Sequence, residues 1–419
     1  MKKFVTVVLA CTGAFLICAG LRAAGDALGY AVEFDMESEI FSRYGDAGIT
    51  EYELDRASGK ALISDDTQMT LFTANGILVG ETRLCTKGIG GAPHMYMLRS
   101  YQDWLKTQDD SYVDQGRISW LLDVPQLHNR RAPGNTCLSA LYESDNGKYC
   151  ESYVESRIND SKGCGAVMRV APLGIHYKDV PVETLMEEAA EISAITHGHE
   201  LGYMPSAALT YILNQIVYSE GKSLREIVSD SIRKIRDMYA ETEHVNALCS
   251  ILEKAAELAV NRKNDIDNIH ELGEGWVAEE ALAIAVYCAL RHSDDFSKCI
   301  IAAVNHNGDS DSTGAIAGNI IGAYLGYEAI DKKWIENLEL IDVILEMSDD
   351  LCHGCQLAEF SSYSDPVWES KYIDMMRPGS EMTQSEIAIS SCSLVINSCS
   401  CPKYISRFKT LKKHSANGI

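Results

Sequence analysis

Three adjacent polar residues, Ser64, Asp65 and Asp66, open the segment SDDTQMTLFTANGIL, whose right half shows an apolar pattern of helical spacing. A hydroxyl and carboxylates at a helix start accept hydrogen bonds from free backbone N–H groups, so one interpretation is a simple cap. One such residue is sufficient for a cap, whereas three together place two negatively charged carboxylates side by side, where they repel each other. A second acidic cluster elsewhere would therefore favour a cation shared by both.

That second cluster contains Asp309, Asp311 and Ser312, and it precedes a run of small residues in the segment NHNGDSDSTGAIAGNIIGAYLG. Carboxylate and hydroxyl oxygens, without Cys or His, suit a hard cation such as Mg²⁺ or Mn²⁺. The four carboxylates of the two clusters exceed the charge of one divalent ion, so two ions that share bridging aspartates would balance them better.

Two other interpretations of these clusters stay open. The clusters are caps of separate helices that never meet, or they form a structural calcium site. An EF-hand is excluded, because the DSDST stretch lacks the glycine and the distal glutamate of that loop.

A third carboxylate motif, GDALGYAVEF, contains Asp26 and Glu33. Asp26 suits a helix cap, and a glutamate is usually a surface residue. Glu33, however, lies within an otherwise apolar run from Tyr30 to Phe34. A carboxylate in apolar surroundings is a candidate base or ligand.

Together these motifs resemble the ADP-ribosylglycohydrolase family, which includes the dinitrogenase reductase-activating glycohydrolase. The resemblance extends from about Gly25 to Pro378, and the ordered set of motifs is far more specific than any one of them. Besides the three acidic motifs, it rests on the segments APGNTCLSAL, GCGAVMRVAPLG, ITHGHELGYMPSAAL and GWVAEEALAIAVYCAL.

The resemblance implies an all-α fold, with one large orthogonal helical domain and a central two-metal cleft. It implies two Mg²⁺ ions, with Mn²⁺ as the alternative, because both are hard and octahedral. Ser64 and Ser312 stand where the family commonly has Thr, and both keep the hydroxyl. The implied metal ligands are Ser64, Asp65, Asp66, Asp309, Asp311 and Ser312.

The resemblance also implies roles in catalysis and in substrate binding. Glu33 positions or activates a water, and Asp65 and Asp311 complete the catalytic set. Gly163 and Gly165 let backbone N–H groups approach the diphosphate of ADP-ribose, and His197 contacts the substrate. Judged without the resemblance, His197 is more often a buried structural histidine.

The implied reaction is hydrolysis of an N- or O-glycosidic bond at ribose C1″, which releases ADP-ribose from an ADP-ribosylated protein or a small ADP-ribosyl conjugate. Two alternatives remain: hydrolysis of another ribosyl conjugate, such as a nucleotide-sugar or a modified nucleic-acid end, and non-catalytic binding of ADP-ribose. The intact acidic clusters argue against a binding protein, which has no physical need for four uncompensated carboxylates.

Composition limits the partners and the location of the protein. The 419 residues carry a formal net charge of −23, which argues against broad nucleic-acid binding. Fourteen scattered cysteines indicate a reducing compartment, and Cys352-His353-Gly354-Cys355 lacks the second pair of a zinc site. We expect a cytoplasmic monomer without a membrane span in the mature domain.

The two ends of the chain differ from the central region. Lys2 and Lys3 precede an apolar run, which is typical of a signal segment but also of a buried first helix. Because cleavage near Gly20 would cut into the helix that carries Asp26, the cytoplasmic interpretation is favoured over export. We predict an extension or signal segment over residues 1–14, a catalytic domain over 15–378, and a Ser/Cys-rich, then basic, tail over 379–419.

Helical periodicity dominates the central region, while the stretch from Cys85 to Gly174 is rich in Gly, Pro, Asn and Ser and is predicted to be non-helical. Five segments are predicted helices: Pro205 to Ser219, Ser223 to Tyr239, His244 to Asn261, Val277 to Arg291 and Thr313 to Ile330.

Overall fold

The computed structural model describes residues 23–112, 116–144 and 150–378. The predictions for the signal segment and for the basic tail lie outside these residues. The described part of the chain forms no strand, only the isolated bridges Ala61–Leu338 and Gly163–Val277, so the predicted all-α class is confirmed. No helix in these ranges is both long enough and apolar enough to cross a membrane.

The helices are numbered α1 to α17 in chain order. The first eight are α1 (23–30), α2 (Glu37–Tyr44), α3 (Asp65–Lys87), α4 (Pro93–Gln108), α5 (Asn135–Ser144), α6 (Ala171–His176), α7 (Val182–Ala194) and α8 (Glu200–Tyr218). The others are α9 (Leu224–Met238), α10 (Val245–Leu258), α11 (Asp265–His270), α12 (Ala278–Arg291), α13 (Phe296–Val304), α14 (Ser310–Leu325), α15 (Lys333–Glu336), α16 (Ile341–His353) and α17 (Pro366–Tyr372). Short 3₁₀ turns cover Trp120–Asp123, Pro125–His128, Val167–Arg169 and Tyr327–Ala329.

All five predicted helices are confirmed, as α8, α9, α10, α12 and α14, with shifted ends. The largest shifts are of five residues: α14 ends five residues before Ile330, and α8 begins five residues before Pro205. His199 caps this earlier start, since its Nδ1 accepts a hydrogen bond from the backbone N–H of Leu201 at 3.0 Å. Pro205 then lies inside the helix, a position that the propensity of proline alone disfavours.

The prediction of a non-helical stretch from Cys85 to Gly174 is wrong in part. Helix α4 occupies Pro93–Gln108, with Pro93 in its first turn, where a missing N–H costs nothing. Met97, Tyr101 and Trp104 are buried at near-helical spacing along it. The surrounding Gly and Pro residues belong to the loops on either side of α4. They dominate the composition of the stretch, so the amphipathic pattern of α4 was not recognised.

Two helices form the centre of the domain. In α3 every residue from Asp65 to Gly80 is buried, and in α14 every residue from Ser310 to Gly322 is buried. A helix that is covered on all sides can be formed only inside a large core. The acidic residues at the N-terminal ends of both helices are therefore held inside the protein rather than in solvent.

Helix α1 contacts the N-terminal half of α14 through glycines. A Cβ atom on Gly25 would lie 2.0 Å from the carbonyl oxygen of Gly314, and one on Gly29 would lie 2.2 Å from that of Ser310. Gly25 and Gly29 are one helical turn apart, so they form a smooth face along α1. This face brings Asp26 and Glu33 towards the acidic end of α14.

We predict that Gly29→Ala destabilises the protein by about 1–3 kcal/mol, because the new methyl group overlaps with backbone that must move away. Chemical denaturation monitored by circular dichroism would measure this loss. Gly91→Ala is the matched control, since its Cβ would meet only the Tyr96 ring, at an ordinary 3.4 Å. Equal stability of the two variants would contradict the close packing of α1 on α14.

Candidate active site

The two acidic clusters of the sequence meet in the fold. Carboxylate oxygens of Asp65, Asp66 and Asp311 all lie within 4.8 Å of one another. Ser312 Oγ donates a hydrogen bond to Asp66 Oδ1 at 3.3 Å, which joins the start of α14 directly to the start of α3. The interpretation of two caps that never meet is therefore wrong.

The clusters nevertheless also cap their helices. Ser64 Oγ accepts a hydrogen bond from the backbone N–H of Asp66 at 3.2 Å, and Asp309 Oδ1 accepts one from that of Ser312 at 3.2 Å. The other oxygen of Asp309 accepts a hydrogen bond from the thiol of Cys164 at 2.7 Å. Asp309 lies outside the group of three close carboxylates, and the assignment of all six residues as metal ligands stays a prediction.

Asp26 lies beneath the start of α3 and is fully buried. Its carboxylate accepts hydrogen bonds from the backbone N–H groups of Ser64 and Thr67, at 3.0 and 3.1 Å, and from the Thr67 hydroxyl. Burial, and then the nearby charge of Asp311, raises the pKa of Asp26 to about 6. Asp26 thus fixes the backbone that presents Asp65 and Asp66, instead of capping its own helix as the sequence suggested.

Glu33 is a buried carboxylate with a strongly raised pKa. It is 8% exposed, and its Oε2 atom has no hydrogen-bond partner among the described residues. Burial, followed by the charges of Asp311 and Asp309, raises its pKa to about 11. Glu33 is thus a buried carboxylate that is close enough to the aspartates to respond to their charge.

A cleft of about 560 Å³ opens beside Glu33. Phe34, Arg130 and the segment 132–135 form the rest of its lining. In that segment the backbone N–H of Gly134 donates a hydrogen bond to Asp65 Oδ2 at 3.2 Å. A substrate that occupies the cleft would therefore contact Glu33, and Gly134 joins the wall of the cleft to Asp65.

The glycines Gly163 and Gly165 lie against His197. Cβ atoms on them would come within 3.3 and 3.0 Å of the imidazole ring, so larger residues would displace the histidine. The loop is also held by a backbone hydrogen bond from Cys164 to Trp276, of 3.2 Å. The structure thus brings together the three residues predicted to bind substrate, although it does not test that role.

Several residues near the site were not identified from the sequence. Cys164 contacts Asp309, Gly134 contacts Asp65, and Arg169 contacts the loop that carries Gly165. Cys164 and Arg169 lie in the GCGAVMR segment. Their closeness along the chain to the predicted substrate-binding glycines was the one sequence signal that could have identified them. Asp26 had no signal for its role, because its partners in α3 lie about forty residues away.

The donor set fits a hard divalent cation. Burial and the charge of Asp311 raise the pKa values of both Asp65 and Asp309 well above the usual range. Within the described ranges, Asp65, Asp309 and Asp311 form no ion pair with a Lys, Arg or His side chain. Buried carboxylates of this kind are stable as anions only when a cation balances them, and oxygen ligands favour Mg²⁺ or Mn²⁺.

Comparison with known proteins agrees with this geometry. The chain is 25% identical to the ADP-ribosyl-[dinitrogen reductase] glycohydrolase of Rhodospirillum rubrum over 334 residues. This alignment covers 78% of this chain and 90% of that protein. The chain is 27% identical to human ADP-ribosylhydrolase ARH3 over 205 residues, or 43% of this chain and 54% of that protein.

A solved structure, an ADP-ribosylglycohydrolase-related protein complex, has the same fold. It superposes with a TM-score of 0.57 at 20% identity and covers 82% of this chain and 98% of its own. The sequence profile of ADP-ribosylglycohydrolase matches residues 18–360. The chain therefore belongs to the ADP-ribosylglycohydrolase family.

Proposed function

We propose that this protein is a metal-dependent hydrolase that cleaves the glycosidic bond at ribose C1″ of ADP-ribosylated substrates and releases ADP-ribose. The observation that carries this proposal is the convergence of Asp65, Asp66 and Asp311 near Glu33, a buried carboxylate that lines a cleft. Membership of the family supports glycohydrolase chemistry, and the cluster supports its dependence on a divalent cation.

The residues that would hold two Mg²⁺ ions are the three converging aspartates, with Asp309, Ser64 and Ser312 beside them. When bound, the ions would supply Lewis acidity and orient the ribose hydroxyls and a water. The remaining chemistry belongs to the side chains of this protein.

Glu33 is the proposed general base. The oxygen of a water forms the new bond to C1″ while the bond from C1″ to the acceptor breaks, and the departing nitrogen or oxygen keeps the bonding electrons. Glu33 takes a proton from the water, the departing acceptor takes up a proton from solvent, and Glu33 later returns its proton to solvent, so one water is consumed. Positive charge that develops at C1″ is stabilised by the carboxylates around it.

The raised pKa of Glu33 connects this role to the cation. The charges of Asp311, Asp309 and Asp65 contribute to the raised pKa after burial. A bound cation would offset those charges and so lower the pKa of Glu33, while burial would still raise it. We therefore expect Glu33 to be protonated in the metal-free protein and to ionise more readily in the metal-loaded protein.

The first experiment measures release of ADP-ribose from an arginine-ADP-ribosylated protein, with Mg²⁺ and with excess chelator. We expect release with Mg²⁺, its loss in chelator, and its recovery when Mg²⁺ or Mn²⁺ is restored in excess. Release that is indifferent to the chelator would remove the metal from the proposal.

The same assay on other substrates identifies the acceptor. Serine-linked protein, an ADP-ribosylated nucleic-acid end and a small ADP-ribosyl conjugate are tested beside the arginine-linked protein. Release from one of them alone assigns the acceptor class. Tight binding of ADP-ribose without release from any of them would instead support a non-catalytic binding protein on this fold.

We also propose that the protein acts in the cytoplasm. The nine cysteines in the described ranges are free thiols, which suits a reducing compartment. Cell fractionation with an antibody to the native protein would test this, and recovery in an extracellular or periplasmic fraction would contradict it.

A further inference from the structure

Arg169 is a fully buried cation close to the site. Its side chain is 0% exposed, and it forms no ion pair with an Asp or Glu among the described residues. The guanidinium lies over the Tyr101 ring, 4.3 Å from its centroid. A buried charge without a carboxylate partner is costly, so the Arg169 guanidinium depends on its hydrogen bonds. The partners in those hydrogen bonds show which parts of the protein Arg169 holds together.

Those hydrogen bonds reach two walls of the predicted substrate pocket. Nη1 donates to the carbonyl oxygen of Gly165 at 3.0 Å, and Nη2 donates to the hydroxyl of Thr196 at 2.6 Å. The same hydroxyl lies 2.8 Å from Nδ1 of His197. One guanidinium thus connects the glycine loop to the histidine that packs against it.

The hydrogen bond from Arg169 to Thr196 favours one tautomer of His197. With Thr196 Oγ1 as the acceptor from Arg169, the Thr196 O–H proton can donate to Nδ1 of a neutral imidazole. Burial and the charge of Arg169 lower the pKa of His197 to about 3, so the ring stays neutral. With Nδ1 as the acceptor, the single ring proton is on Nε2.

The protonated edge faces the glycine loop. Nε2 of His197 would be 3.3 Å from a Cβ atom on Gly163 and equally far from one on Gly165. A diphosphate at this loop needs hydrogen-bond donors, and an Nε2–H group supplies one. The other tautomer would present a lone pair, which phosphate oxygens repel.

We propose that Arg169, acting through Thr196, is a positioning residue that holds His197 as the Nε2–H tautomer, so that His197 donates a hydrogen bond to the diphosphate of ADP-ribose. The identity of the ligand rests on the proposed function. The tautomer itself does not, since it is inferred from contacts within the protein.

The test uses nitrogen NMR of protein labelled with ¹⁵N-histidine, with the His197 signals assigned from a His197→Gln spectrum. We expect a protonated Nε2 and an unprotonated Nδ1 in the wild type and in Thr196→Ser, which keeps the hydroxyl. Thr196→Val removes the hydroxyl at similar volume, so it should shift His197 towards a mixture of tautomers. A proton on Nδ1 in the wild type would overturn the proposal, as would an unchanged tautomer in Thr196→Val.

Calorimetry with ADP-ribose tests the consequence. Thr196→Val should weaken binding about tenfold, the typical effect of one lost hydrogen bond, while Thr196→Ser binds as the wild type does. Unaltered binding in a Thr196→Val protein whose tautomer has changed would refute the donor role. Absence of hydrolysis in every assay would refute the proposed function and leave the tautomer measurement valid.

Discussion

Asp311→Asn is expected to lose nearly all ADP-ribose release, by about 100-fold or more, since even residues that only orient a metal ligand cost 10–100-fold. Asp311 is the α14 member of the three-carboxylate group, and its charge raises the pKa values of Asp26, Glu33 and Asp65. The amide keeps the shape but removes the charge that balances the cation. Single-turnover release assays, together with Mn²⁺ binding followed by electron paramagnetic resonance, would measure both losses.

The same substitution separates a metal role from a structural role. In metal-free protein, removing one of several repelling buried charges should leave the melting temperature unchanged or higher. Asp295→Asn is the matched control: Asp295 also accepts a hydrogen bond at a helix start, from Lys298 N at 3.0 Å, but it caps α13. Wild-type release by Asp311→Asn would rule out the cluster as the metal site.

Glu33→Gln is expected to reduce turnover by about 10²–10⁴-fold, the usual contribution of a general base. The amide keeps the volume of the side chain but cannot accept a proton from water. Glu33 lies outside the group of three close carboxylates, so occupancy by Mn²⁺ should remain near that of the wild type. Measurements of kcat and of bound Mn²⁺ on the same samples would show whether the two effects separate.

A control and a contrary outcome sharpen this experiment. Glu51→Gln changes an exposed glutamate in the same N-terminal region and should alter neither quantity. If Glu33→Gln loses metal and turnover in equal measure, Glu33 is a ligand and the base must be sought elsewhere. If turnover is unchanged, Glu33 is not the general base.

Periodicity in the sequence was a good guide to the long helices and a poor one to those flanked by loop residues. Helices α9, α10 and α12 were predicted within a few residues, because each carries an amphipathic pattern over several turns. Helix α4 was missed, because its pattern lies between glycine-rich and proline-rich loops. The start of α8 was misplaced, because the cap comes from the His199 side chain and not from a residue type that usually caps helices.

The sequence alone identified the chemical groups that the proposed site contains. Hydroxyl and carboxylate oxygens at two helix starts indicated a hard cation, and Glu33 in an apolar run indicated a perturbed carboxylate, since both properties depend on residue type and near neighbours.

Only the tertiary structure decided which of these groups meet. Ser312 and Asp66 are 246 residues apart, and the packing of α1, α3 and α14 joins them. The same holds for the contacts of Cys164 with Asp309 and of Arg169 with Thr196. Local sequence sets what a side chain can donate or accept, whereas the close packing of helices distant in sequence sets its partner.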